Sequence, residues 1–178
     1  MNEDDMTRED AQSISSARAL DDAEQLLFSR GDGVLCTSSK RADGWPFGSV
    51  VPYALDVAGR PIILVASIAE HTRNIGADPR VSLLVQADVT QGDVQAHGRL
   101  CVMGRAVAIP EADLDDARER YLARLPEAEG YFATHNFSFL RIEVERLRYI
   151  GGFGKIFWLD VDRYRARQGH ARVRAEAV

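Results

Sequence analysis

About seven short apolar or alternating runs, each ended by a glycine, proline or aspartate turn, constrain this chain more than any other feature of its sequence. Val34–Ser38 reads as a first strand, and Lys40–Gly44 turns the chain into a longer one, Pro46–Val57. After Ala58-Gly59-Arg60 comes Pro61–Ala66, a continuous apolar run that implies burial on both faces. Val81–Val85 and Gly98–Ile109 follow, with Gly104 marking a bulge or a close approach of backbone. Phe137–Val144 alternates, and Leu147–Gly151 with Lys155–Leu159 forms a closing hairpin around Gly151–Gly154. Helical spacing is confined to three places. Residues from Arg8 to Ser29 carry Ile14, Ala17, Leu20, Ala23 and Leu27 on one face; Ile68–Ala77 and Pro110–Leu125 supply two shorter segments. No strand–helix–strand alternation is present, so a doubly wound sheet is excluded. The expectation is an α+β, mainly β chain: an antiparallel meander closed into a barrel, with flanking helices.

Composition narrows the function classes. The 178 residues are 46% apolar and 28% charged, ordinary values for one globular domain. No run reaches the roughly 20 apolar residues of a membrane span. The acidic start, Met1–Asp5, is neither a secretory nor a transit signal, which points to a cytoplasmic protein. Residues 1–24 hold eight acids against Arg8 and Arg18, whereas five arginines from Arg163 onward face Glu176 alone. With no broad basic run in the body, nucleic acid is not the expected partner; the basic end suits an acidic surface or an acidic ligand. The chain divides into a disordered acidic arm (1–10), a cofactor-binding barrel (11–160) and a basic tail (161–178). Cys36 and Cys101 lack metal-type spacing and read as reduced core residues.

The strongest local chemistry lies where the buried run ends, in Ser67-Ile68-Ala69-Glu70-His71-Thr72-Arg73-Asn74. A helical turn after a strand exposes unpaired N–H groups. Ser67 and Thr72 add hydroxyls, Arg73 a bidentate fork and Asn74 an amide, a set that suits phosphate or carboxylate. Pro52 cannot donate to a ladder, so it marks an edge or a ligand-facing point, with Tyr53 beside it to stack or hydrogen-bond. Gly151-Gly152-Phe153-Gly154-Lys155 lacks the spacing of a nucleotide-phosphate loop, and reads instead as a tight turn that brings Lys155 towards a ligand.

Three stretches together, Ser49–Ala54, Ser67–Asn74 and Asp78–Leu84, resemble the FMN-binding split-barrel superfamily, the pyridoxamine-phosphate-oxidase-like proteins. The closing Arg148-Tyr149-Ile150-Gly151-Gly152-Phe153-Gly154 is similar to its haem-utilisation branch, the HugZ/HutZ type. The resemblance spans residues 20–172 and implies a six-stranded split barrel, dimerised with itself, holding haem or FMN at the subunit interface. Carried onto this sequence, it implies that Thr72, Arg73 and Asn74 approach a flavin phosphate and that Ser49, Val50 and Val51 face the ring system. It makes His170 the ligand to haem iron, with Asn136 at the position where relatives use a carboxylate from the partner to orient that histidine. The neutral amide is a departure: it cannot push electron density onto the iron as aspartate does. The chain lacks the substrate-site tail of true pyridoxamine-phosphate oxidases, so that activity is not expected.

The leading expectation is therefore a haem-utilisation homodimer, binding haem through His170 and anchoring its acidic edge near His71–Asn74, with oxidative opening of the porphyrin as its reaction. An FMN-dependent oxidoreductase on the same barrel is the alternative, and a non-catalytic binding or regulatory dimer the third. Both cofactors are flat, aromatic and anionic at one end, so one apolar groove with an arginine serves either.

Overall fold

The computed structural model describes the backbone of residues 3–133 and 136–175, and side chains for 15–132 and 136–168. Helix α1 (Glu3–Ser29) runs into the hairpin of β1 (Asp32–Ser38) and β2 (Pro46–Pro52), paired so that Val34 faces Val50 and Cys36 faces Gly48. Residues 3–10, expected as a disordered arm, form the first turns of α1. Next come β3 (Ala54–Leu55), β4 (Pro61–Ala66), α2 (Glu70–Ala77), β5 (Arg80–Gln86) and β6 (Arg99–Ala108). Helix α3 (Leu114–Arg124), β7 (Phe137–Ile150), β8 (Ile156–Leu159) and α4 (Val161–Ala175) complete the chain.

All eight strands join one antiparallel sheet in the order β2-β1-β5-β6-β7-β4-β3, with β8 on the far half of β7. Strand β2 approaches β4 without pairing to it, and that seam makes the barrel split. The strand count exceeds the expected six. The front of the chain is also not a simple meander: β4 leaves β2 and pairs with β7, and α2 returns the chain to β1. The apolar run of β4 explains this placement. Ile63 and Val65 enter the main core with α1, whereas Ile62 packs on the opposite side in a second cluster under α3 with Tyr121 and Phe139. A strand buried on both faces needs partners on both.

Strand β7 reads as two strands in sequence but is one 14-residue strand. Met103 pairs with Arg146 and Gly104 with Val144, leaving Glu145 as the extra residue of a bulge. The bulge shifts the inward set from Ile142 and Val144 to Leu147 and Tyr149, so the period-2 pattern breaks. Glycine is required opposite: a Cβ on residue 104 would sit 2.0 Å from the Glu143 carbonyl oxygen.

Helix α1 closes the barrel interior with Ala19, Leu20, Ala23, Leu26 and Leu27. Complete burial of each leucine stabilises by about 1.5–3 kcal/mol. Its C-terminal carbonyls are met from elsewhere in the chain. Tyr53 Oη donates to Leu27 O at 2.7 Å, and Arg124 donates to Phe28 O at 2.9 Å and to Arg30 O. Tyr53 is thus a fully buried structural residue and is not available to stack on a ligand.

The basic end is a docked helix. Tyr164 Oη donates to Gly59 O at 2.6 Å, Arg165 to Val144 O at 2.6 Å, and Gln168 to Glu24 at 3.3 Å. Arg167 pairs with Asp21 and Glu24, so the acidic front of the chain receives part of the basic end. Among the described residues, no helix is long and apolar enough to cross a membrane.

Candidate functional site

The anion-suited segment begins where β4 ends. Ser67 is exposed, and its N–H donates to Asn136 O at 2.9 Å, tying the entrance of β7 to this segment. Asn136 adopts φ 97°, a left-handed conformation that asparagine tolerates better than most residues, with its side chain exposed. Helix α2 is preceded by Ala69 at its N-cap, which offers no side-chain acceptor to the first amides. Thr72 does not cap it either: its hydroxyl donates to Ala66 O at 2.6 Å, closing the turn from strand to helix.

Asn74 is 0% exposed, and both ends of its amide are used inside the protein. Nδ2 donates to Thr37 Oγ1 at 3.0 Å, and Oδ1 accepts the Lys40 N–H at 2.9 Å. Asn74 and the Thr72 hydroxyl therefore differ from expectation: they build the site and do not face a cofactor from it. The reason is periodicity, since residue 74 lies one turn along from Glu70 on the inner side of a short helix packed on β1.

What Asn74 builds is a basic cleft. By holding the backbone of Lys40 it sets the 39–45 turn against α2, and Lys40, Arg41 and Arg73 line a cavity of about 570 Å³ with Glu70 and Gly76. Three cations face one carboxylate, and Arg73 reaches that carboxylate only at 3.5 Å. Lys40 and Arg41 read in sequence as turn residues alone, because no local pattern says what a turn will pack against.

Strand β2 separates three residues expected to act together. Val50 points out of the barrel and is 75% exposed, whereas Val51 is buried and Ser49 half-buried on the inner side. Alternation along a strand forbids all three from facing one ring. Ser49 Oγ instead meets His71 Nδ1 at 3.3 Å. Burial lowers the His71 pKa, so its ring is neutral at neutral pH and one nitrogen can accept.

The outward face of the sheet carries a row that crosses six strands. Pairing registers align Val50, Val34, Leu84, Cys101, Arg148 and Trp158. The Arg148 guanidinium stacks 4.9 Å from the Trp158 ring centre. The neighbouring row contains Cys36, Ser82 and Met103, which with Ser38, Pro46 and Arg146 line a groove of about 420 Å³. Cys36 and Cys101 are half-buried on this outer face, not in the core, and burial raises the Cys101 thiol pKa, keeping it protonated. Groove and basic cleft border the same 39–45 turn: Ser38, Gly44 and Pro46 line the first, Lys40 and Arg41 the second. A flat, apolar, sulfur-lined surface with cations at its rim suits a planar cofactor with an acidic edge.

Lys155 is not part of this arrangement; it lines a separate cleft with Arg18, Asp22 and Tyr149. His170 lies within the span of α4, and its side chain falls outside the described residues, as does His135.

Comparison with known proteins places this geometry. The CREG β-barrel family matches residues 15–166. A chloroplastic heme oxygenase of Arabidopsis thaliana, HOZ, is 38% identical over 125 residues, which are 70% of this chain and 38% of HOZ. The chain thus spans well under half of that plant relative. Heme oxygenase HutZ of Vibrio cholerae is 23% identical over 141 residues, 74% of this chain and 79% of HutZ. A heme-binding protein from Mycobacterium smegmatis superimposes with a TM-score of 0.77 at 31% identity, covering 83% of this chain and 60% of its own. With a family match over most of its length and these relatives beside it, the chain belongs to the CREG β-barrel family, in the HugZ/HutZ-type branch of the pyridoxamine-phosphate-oxidase-like split barrels.

Proposed function

We propose that this chain is a haem-utilisation protein that binds haem at the interface of a homodimer and opens it oxidatively to release iron. The observation that carries the reading is the 39–45 turn, which borders the outward groove of Cys36, Ser82 and Met103 on one side and the cleft of Lys40, Arg41 and Arg73 on the other. Relatives named for haem support haem as the flat ligand. A second copy is the expected cover of the row. Val50 is 75% and Trp158 59% exposed, a large apolar surface for a free subunit, and an isologous contact would set the row against itself.

When bound, haem supplies the redox iron at which dioxygen and electrons from a separate donor meet. This chain's residues would hold and shape it. Lys40, Arg41 and Arg73 would take the propionates, each as a charge-assisted contact. Val34, Val50 and Leu84 would cover the ring and exclude water. His170 would ligate the iron, and Asn136 of the second copy would orient that histidine. An amide fixes the ring's tautomer but withholds the negative charge of a carboxylate, so turnover should be slow for the affinity.

The test is haemin titration of the full chain, followed by the Soret band, beside its mass in solution. A dimer whose Soret band is altered in His170→Ala and weakened in Arg73→Ala is expected. Val50→Asp, at an exposed position, should yield a folded monomer with poor haem binding. A monomeric wild type, or a Soret band unchanged in His170→Ala, would overturn the reading. A yellow flavin spectrum lost in Arg73→Ala would assign FMN instead, and binding of neither would leave a non-catalytic module.

A further inference from the structure

Tyr149 is a core residue with a misplaced function. Only 7% of it is exposed, its ring packs among the core residues behind α1, and among the described residues its hydroxyl has no hydrogen-bond partner. The ring is buried but the hydroxyl is not sealed from solvent, so it is a donor that a guest in the cleft can take over from water. The hydroxyl has been given room: a Cβ on Gly98 would come within 3.2 Å of it, and one on Gly151 within 3.3 Å. It opens into a cleft of about 250 Å³ between α1 and the β7–β8 hairpin.

The other groups in that cleft give it a sign. Arg18 and Lys155 line it against one carboxylate, Asp22, with Ser15 and the Phe157 ring completing the wall. Neither Arg18 nor Lys155 has an ion pair among the described residues. The hairpin fixes the backbone of Lys155, since Gly151 N–H donates to Lys155 O at 2.8 Å and Lys155 N–H to Gly152 O at 3.3 Å, while its side chain, like those of Arg18 and Asp22, is exposed. Burial, and secondly Asp22, raise the Tyr149 pKa, so the phenol keeps its proton and serves as a donor. Two cations, one carboxylate and a neutral donor leave a net charge of +1. The volume lies below the roughly 300–1,000 Å³ of pockets for larger ligands.

We infer that the cleft between α1 and the β7–β8 hairpin binds a small oxyanion, a carboxylate or phosphate group, seated by Arg18 and Lys155 and hydrogen-bonded by the Tyr149 hydroxyl. This site shares no residue with the Arg73 cleft and stands whether or not haem is the cofactor. The phenol supplies direction and the two cations supply charge. Asp22 limits the guest to one negative charge or to the acidic end of a larger molecule.

The ¹⁵N-labelled full chain, without cofactor, is titrated with sodium phosphate and with sodium acetate at constant ionic strength, using sodium chloride as reference. The amides of Gly151, Gly152 and Lys155 report binding. Saturable shifts are expected with at least one oxyanion and not with chloride; phosphate alone would define a phosphoryl guest, acetate alone a carboxylate. Tyr149→Phe, which keeps the ring and therefore the core, should weaken binding about 10-fold, as loss of a hydrogen bond to a charged group does. Arg18→Gln with Lys155→Gln should abolish it. Shifts that fail to saturate, that chloride reproduces, or that survive unchanged in Tyr149→Phe would overturn the inference.

Discussion

Replacing Asn74 by alanine tests how the site is built. Asn74 touches no solvent, yet it joins α2 to β1 through Thr37 and to the 39–45 turn through Lys40. Two neutral hydrogen bonds contribute about 0.5–1.5 kcal/mol each. The groups left behind differ. The Thr37 hydroxyl still reaches Phe47 O at 3.4 Å, so its unmet need is as an acceptor, whereas Lys40 lies at the surface and its N–H regains water. With the vacated volume, the expected loss is about 2–3 kcal/mol, or roughly 5–10 °C in Tm for a domain of this size. Urea unfolding should show a lower midpoint at constant slope. Arg73→Ala, at the exposed edge of the same helix, should stay within about 0.5 kcal/mol of wild type. Asn74→Asp keeps the acceptor for Lys40 but loses the donor to Thr37 and buries a charge. It should be at least as unstable as alanine at neutral pH and recover on acidification, as the carboxyl protonates. If Asn74→Ala costs less than about 0.5 kcal/mol, the tie is incidental and the account of the cleft fails. If haemin affinity then also stays at the wild-type value, Asn74 does not position Lys40 and Arg41.

Three further outcomes follow from the geometry. Gly104→Ala forces a Cβ onto the Glu143 carbonyl and should cost several kcal/mol or prevent folding, read by thermal unfolding; a stable variant would mean that the bulge can move. Tyr164→Phe removes the buried bond to Gly59 and should cost about 1–3 kcal/mol, with faster proteolysis at α4 than elsewhere; uniform proteolysis would sink the docking role. His71 has a lowered pKa in the fold, so the unfolded chain takes up its proton first. Stability from this residue is intact above the ordinary histidine range and falls as pH drops below it, by at most about 1.4 kcal/mol per pH unit. In His71→Gln that part of the slope between pH 7 and 5 should vanish; an unchanged slope would assign it to other groups.

Much of this protein is legible in its local chemistry. The turn-bounded strands, the glycine of the bulge and the hairpin at Gly151–Gly154 follow from conformational rules that act within a few residues. The two-sided burial of Ile62, Ile63 and Val65 is equally plain from a run with no polar face. The chemistry of Ser67–Asn74 as an anion-suited stretch belongs to that level too. Direction does not. Whether Asn74 looks into the protein, whether Val50 or Val51 faces outward, and which cleft receives Lys155 depend on how distant segments pack. The pairing of β4 with β7 joins residues far apart in the chain, and no local preference encodes a partner at that distance. The amino-acid sequence alone thus determined an antiparallel barrel with an arginine-bearing turn suited to an acidic group. Tertiary structure decided that Arg73 shares its cleft with Lys40 and Arg41, because a buried amide on α2 holds the turn that carries them.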